Sequence, residues 1–197
     1  MKNAQVEELV LQALEHELGG VKIYTTAVQC AVNTDLRKEW EKYLAETRTH
    51  VTSLEGVCKA LELDTAKETP GRKIVRHNGG ALVEAMKLAL AGGDPAAAQL
   101  VACECVVLAE TKDHLNWQLL GKCAEHLGGS KGEAMKAAYD LVEDQEDEHL
   151  YHTKGWCREL WIQSLGMNAV LPPPEEQRKV KTAIGAAKAE HAAEKER

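Results

Sequence analysis

The stretch EDQEDEHLYH, Glu143 to His152, sets five acids and two histidines around one apolar pair, Leu150 and Tyr151, inside a segment whose flanks read as helix. If the helix turns all of these groups to water, the segment is a solvated charged face. If it turns Glu146 and His149 inward, other helices must receive them, and the fold is a bundle with polar chemistry at its centre. The two residues are three apart and share one face, so the spacing permits either reading.

The remaining chain reads as all-α. Prolines stand only at positions 70, 95, 172, 173 and 174, outside the long stretches rich in Ala, Leu, Glu and Lys. A first long helix is predicted from about Gln5 to Ala31. The turn Asn33-Thr34-Asp35 caps a second, from Asp35 to Leu63. DTAKETPG then breaks the chain, and a shorter helix near Lys73 to Leu90 ends at Gly92-Gly93. Asp94-Pro95, a cap followed by proline at the first helical position, starts a third long helix that runs to Leu127. Gly128-Gly129-Ser130 turns the chain into a fourth, Lys131 to Leu165. Short turns within each pair and a long, partly helical connection between pairs predict an antiparallel four-helix bundle with a crossover. Residues 1–166 are assigned to this bundle. Residues 167–197, a Pro-rich linker and a Lys/Glu/Ala-rich segment, form an extension that is either a helix packed on a partner or a mobile tail.

A chain of 197 residues, 44% hydrophobic and 28% charged, suits one soluble globular domain with a sizeable core. Its net charge of −7, with no basic stripe, argues against a nucleic-acid partner. No apolar run approaches the roughly 18 residues a membrane span needs, and MKNAQVEELVLQ lacks the apolar core of a signal peptide. A cytoplasmic location without membrane association is therefore expected. The scattered cysteines, with no CxxC pair, are expected to be buried small hydrophobes rather than disulfides, with a redox-active thiol as the alternative.

One class of carboxylate metal site inside helical bundles draws one Glu from each of two helices and a Glu/His pair from each of the others. Glu17 lies 16 residues before Asn33, while Glu46 and His50 lie 13 and 17 after it. Glu110 lies 17 before Leu127, and Glu146 lies 16 after Ser130. At about 1.5 Å per residue these candidates share one level to within about a turn. Glu17 shares a face with Tyr24, and Glu110 with Trp117, each aromatic two turns on. The plain alternative makes Glu46–His50 and Glu146–His149 surface pairs. It fits Glu17 and Glu110 poorly: Glu17 sits among Val10, Ala13, Leu14 and Val21, and Glu110 lies in VACECVVLAETKDHLNW, where burial without a partner is costly. Glu104 is the reserve candidate, and His114 and His152 are supporting or core histidines. His16, His77, His126 and His191 have no such context. Gly19-Gly20, beside Glu17, implies either close helix packing or a local bulge.

The segments LRKEWEKYLAETRTHVTSLEGVCKALEL and AETKDHLNWQLLGKCAEHLG, with EDEHLYHTKGW in the last long helix, resemble the ferritin-like superfamily, and within it the small, bacterial, stress-associated branch that forms no storage cage. The resemblance covers about Val6 to Trp161. It implies metal-ligand roles for Glu17, Glu110, Glu146 and His149, with His50 from the second helix. The family's second-helix pair needs Glu at position 47; this chain has Thr47, with Glu46 beside it. That departure weighs against a symmetric two-iron centre and leaves a mononuclear site or an asymmetric pair with Glu46 reaching round. Carboxylate and imidazole donors suit Fe, with Mn or Zn as substitutes. A homodimer that handles dioxygen or peroxide is the expected form. The rival expectation is a metal-free helical scaffold or dimerisation module; a many-subunit storage shell is disfavoured, because nothing in the sequence marks its interfaces.

Overall fold

The structure, a computed structural model, describes residues 3–196. Seven helices and no strand occur among them: α1 (Asn3–Cys30), α2 (Thr34–Ala60), α3 (Pro70–Ala91), α4 (Pro95–Leu127), α5 (Gly129–Ser164), α6 (Pro174–Gln177) and α7 (Ala183–Glu196). The chain is all-α, as the composition implied. Asn33 caps α2 by accepting from the Asp35 and Leu36 amides, and Asp94 caps α4 through Ala96 and Ala97 with Pro95 next in line. Several boundaries differ from the sequence reading. Helix α2 stops at Ala60 rather than Leu63, and Glu62 then takes a positive φ. Helix α3 starts at Pro70 rather than Lys73, because Thr69 accepts from the Arg72 amide and Pro70 takes the first helical position. Helix α5 starts at Gly129 rather than Lys131, because Gly128 and Gly129, both with positive φ, complete the turn.

The four long helices close a ring. Helix α1 packs on α2 and α4 on α5, while α1 also meets α4 and α2 meets α5; the crossover helix α3 lies over α1 and α4. Each long helix buries a seam at alternating steps of three and four. On α2 the seam is Leu36, Trp40, Tyr43, Thr47, His50, Leu54 and Val57. Two apolar clusters fill the ring. One holds Ile23, Trp40, Met86 and Trp156; the other holds Val10, Leu14, Leu54, Trp117 and Met135. Burying each such side chain contributes roughly 1.5–3 kcal/mol, so the clusters can carry a polar layer between them. Helix α1 runs unbroken through Gly19-Gly20. A Cβ at Gly20 would lie 3.2 Å from Thr47 Cγ2, so close packing, not a bulge, accounts for that glycine.

Glu15 ties α3 to the ring through Arg72 Nη2 and Arg76 Nε, each at 2.7 Å. The extension packs on the ring: α6 lies on α5, and α7 lies on both α5 and α6. Buried Glu175 accepts from Arg158 Nη1 and Nη2 at 2.7 and 3.0 Å, and Trp156 donates to Glu176. All six cysteines are free. Burial pushes each thiol above its ordinary range, to about 11 for Cys30 and Cys157. This disfavours the thiolate that redox reactivity needs. No helix of the described residues is long and apolar enough to cross a membrane.

Candidate metal centre

In the layer between the two apolar clusters each seam offers two consecutive positions: Glu17 and Gly20 on α1, Thr47 and His50 on α2, Glu110 and Asp113 on α4, Glu146 and His149 on α5. Glu17 and both histidines have no accessible surface, and Glu110 and Glu146 have almost none. The layer gathers these five ligand-type residues into two triads, Glu17–His50–Glu146 and Glu110–Glu146–His149. Within each triad one donor atom per residue lies within 4.8 Å of the others, and Glu146 belongs to both.

The imidazoles are held by their outer nitrogens. His50 Nε2 lies 2.8 Å from Gln145 Oε1, and His149 Nε2 lies 2.9 Å from Glu46 Oε2. Both Nδ1 atoms consequently face inward. His50 Nδ1 is 3.0 Å from Glu146 Oε1 and 3.4 Å from Glu17 Oε1. His149 Nδ1 is 3.6 Å from both Glu110 Oε2 and Glu146 Oε1. These atoms are close without hydrogen-bond geometry: Glu17 Oε2, Glu110 Oε2, both Glu146 oxygens and both Nδ1 atoms are buried with no hydrogen-bond partner. Buried polar atoms nearly always find partners, so six such atoms in one layer are unusual.

The carboxylates are oriented across the ring. The sequence pairs Glu17 with Tyr24 and Glu110 with Trp117 along single helices, but the bonds cross: Tyr24 Oη donates to Glu110 Oε1 at 2.8 Å, and Trp117 Nε1 donates to Glu17 Oε1 at 2.7 Å. The Tyr43 ring packs against His149 with centroids 4.1 Å apart and planes tilted by 41°, and its hydroxyl lies 3.1 Å from His152 Nδ1.

The carboxylates of the layer shift both imidazoles against the effect of their burial. Burial alone would lower both imidazoles, yet Glu146 and Glu17 push His50 up to about 11, and Glu110 and Glu46 push His149 up to about 9. Burial raises the Glu146 carboxyl, and the facing Glu110 and Glu17 add to that. The surrounding carboxylates thus favour positive charge on both imidazoles.

Glu17, His50, Glu110, Glu146 and His149 thus come together as the sequence suggested. Glu46 stands apart from both triads, at the outer edge of His149, where its side chain is 19% exposed. Thr47 holds the buried position on the α2 seam and turns its hydroxyl to the Tyr43 carbonyl at 2.8 Å. The reserve candidate Glu104 is outside the ring, accepting from Trp161 Nε1. His152 is buried beside Tyr43 and Glu39, and His114 bonds Asp147 at 2.7 Å. His77, His126 and His191 are exposed, and His16 lies against the Ala109 carbonyl. Asp113 was missed. It is buried, its Oδ1 has no partner, and its carboxyl is pushed well up by burial and then by Glu17, Glu146 and Glu110. Its spacing of three from Glu110 was the available signal. No family model, curated protein or solved structure matches the chain.

Proposed function

We propose that this chain is a ferritin-like metalloprotein that holds two first-row transition-metal ions, one in each triad, with Glu146 shared between them. The observation that carries the reading is the convergence of partnerless buried donor atoms from four helices on one layer. Three carboxylates and two imidazoles suit iron, with manganese or zinc as substitutes. Few protein donors per ion leave coordination positions for dioxygen or peroxide, the basis for an oxidase- or peroxidase-type, stress-protective role. The ring of helices with its long crossover agrees with the ferritin-like arrangement. Leu108, Leu115 and Leu119 form an exposed stripe along one face of α4, which supports a homodimer, to be checked by light scattering on a sizing column.

A second reading has its own support. The two raised imidazoles can neutralise the carboxylates without metal, and the missing acid at Thr47 suits a scaffold whose core is closed by ion pairs. Elemental analysis of protein purified without chelator or metal-affinity resin, before and after anaerobic Fe(II), decides between them. About two ions per chain supports the two-ion centre. No ion under either condition leaves the scaffold.

A further inference from the structure

The surroundings of the triads differ in charge from side to side. On the Glu46 side Lys42 Nζ stands 3.9 Å from Glu46 and 2.9 Å from Glu148, and Lys181 reaches Glu148 at 3.3 Å. On the α1/α3/α4 side a cavity of about 580 Å³ has a mostly apolar lining that includes Lys112 and Glu15, with His16 held to the Ala109 carbonyl in its wall. Between α4 and α5 there is a smaller recess of about 80 Å³, with Gln118 at its exposed mouth. Glu143, Glu146 and Asp147 line it from one face of α5, and no Lys or Arg does.

The recess also reaches the centre. Glu146 lines it while being 1% exposed, and its Oε2 has neither a hydrogen-bond nor an ion-pair partner among the described residues. Trp117, another lining residue, is bonded to Glu17. Asp147 is held at the wall by His114, and both side chains are only partly exposed, at 26% and 14%. The half-buried Glu143 and Asp147 therefore precede the fully buried Glu146 on the way in.

Resting on the metal reading, we propose that this recess is the route by which a divalent cation reaches the triads, with Glu143 and Asp147 as its transient carboxylate ligands and Glu146 as the receiving one. A mouth lined by one sign of charge concentrates counter-ions and raises their on-rate by 10–10³-fold. The lining of this recess has no ammonium group, whereas Lys42 and Lys181 pair with the carboxylates of the Glu46 side and Lys112 stands with Glu15 in the apolar cavity.

The test is stopped-flow uptake of Co(II) by the full-length metal-free protein, followed by its ligand-field absorbance. E143Q/D147N should slow uptake about tenfold, the low end of that steering range, with final stoichiometry unchanged. Q118K, which places a cation at the exposed mouth without touching the core, should slow it as well. E41Q/E55Q removes the same net charge from exposed positions on α2 and should leave the rate as it was. The proposal is overturned if both recess variants load at the wild-type rate, if E143Q/D147N lowers the stoichiometry, or if K42Q accelerates uptake. A wild-type protein that takes up no Co(II) at all overturns the metal reading itself, and the route with it.

Discussion

Tyr24→Phe isolates one of the crossed bonds without disturbing the packing around it. Tyr24 is 1% exposed, its ring meets Tyr43 edge-on at 5.9 Å, and a phenylalanine ring fills the same volume. Only the 2.8 Å bond to Glu110 is lost. Glu110 Oε2 already lacks a hydrogen-bond partner, so the variant leaves both oxygens of a buried carboxylate without a donor. A hydrogen bond to a charged group contributes about 1.5–3 kcal/mol, and losing it with no cavity should destabilise the metal-free protein by that amount. Urea denaturation with an unchanged slope is the assay. The same bond fixes the rotamer of a triad carboxylate, and loss of such an orienting partner weakens metal binding by about 10–100-fold, measurable by competition with a chromophoric chelator. A Tyr24→Phe protein as stable as wild type, binding metal equally well, would refute the view that the aromatic hydroxyl holds Glu110 in place.

Glu146→Gln, which removes the carboxylate common to both triads, should abolish bound metal in elemental analysis; Glu46→Gln should keep the stoichiometry and bind about 10–100-fold more weakly, because Glu46 touches only the outer nitrogen of His149. Hydrogen bonds from Arg76, and then Arg72, hold the Glu15 carboxyl below its ordinary 4.5. Its contribution is therefore present above that value and lost as pH falls through the lower folded one. Glu15→Gln should be less stable than wild type at neutral pH, with the difference shrinking below pH 4.5 in acid titrations followed by circular dichroism. A Cβ at Gly155 would lie 2.5 Å from Glu175 Oε2 and 2.9 Å from Pro173 Cβ, so Gly155→Ala should loosen the extension; limited proteolysis should then cut between residues 167 and 182 sooner than in wild type.

Much of this was legible in the sequence because helices obey local rules. Asn33 and Asp94 announce their caps, and the residue counts from each turn place Glu17, Glu110 and Glu146 at one depth. The misjudged residues fall where the exact angle around a helix matters. Glu46 and His50, four apart, share a face loosely, but the α2 seam steps through Tyr43, Thr47 and His50, and this leaves Glu46 at the edge. Asp113 lies on the α4 seam, yet an aspartate on a helix reads as surface until three carboxylates are seen to face it. The crossed bonds of Tyr24 and Trp117 depend on which helices adjoin, which spacing along one helix does not contain.

The four bonds that orient the triads have one thing in common. Tyr24 on α1 holds Glu110 on α4, Trp117 on α4 holds Glu17 on α1, Gln145 on α5 holds His50 on α2, and Glu46 on α2 holds His149 on α5. Each hairpin supplies donors that only the other hairpin can aim. A slight parting of the two halves unseats all four ligands together, while sliding within either hairpin leaves the pairings of its own seam in register. The centre is therefore a gauge of closure: its geometry exists only while the halves are joined, and whatever it holds is released when they separate.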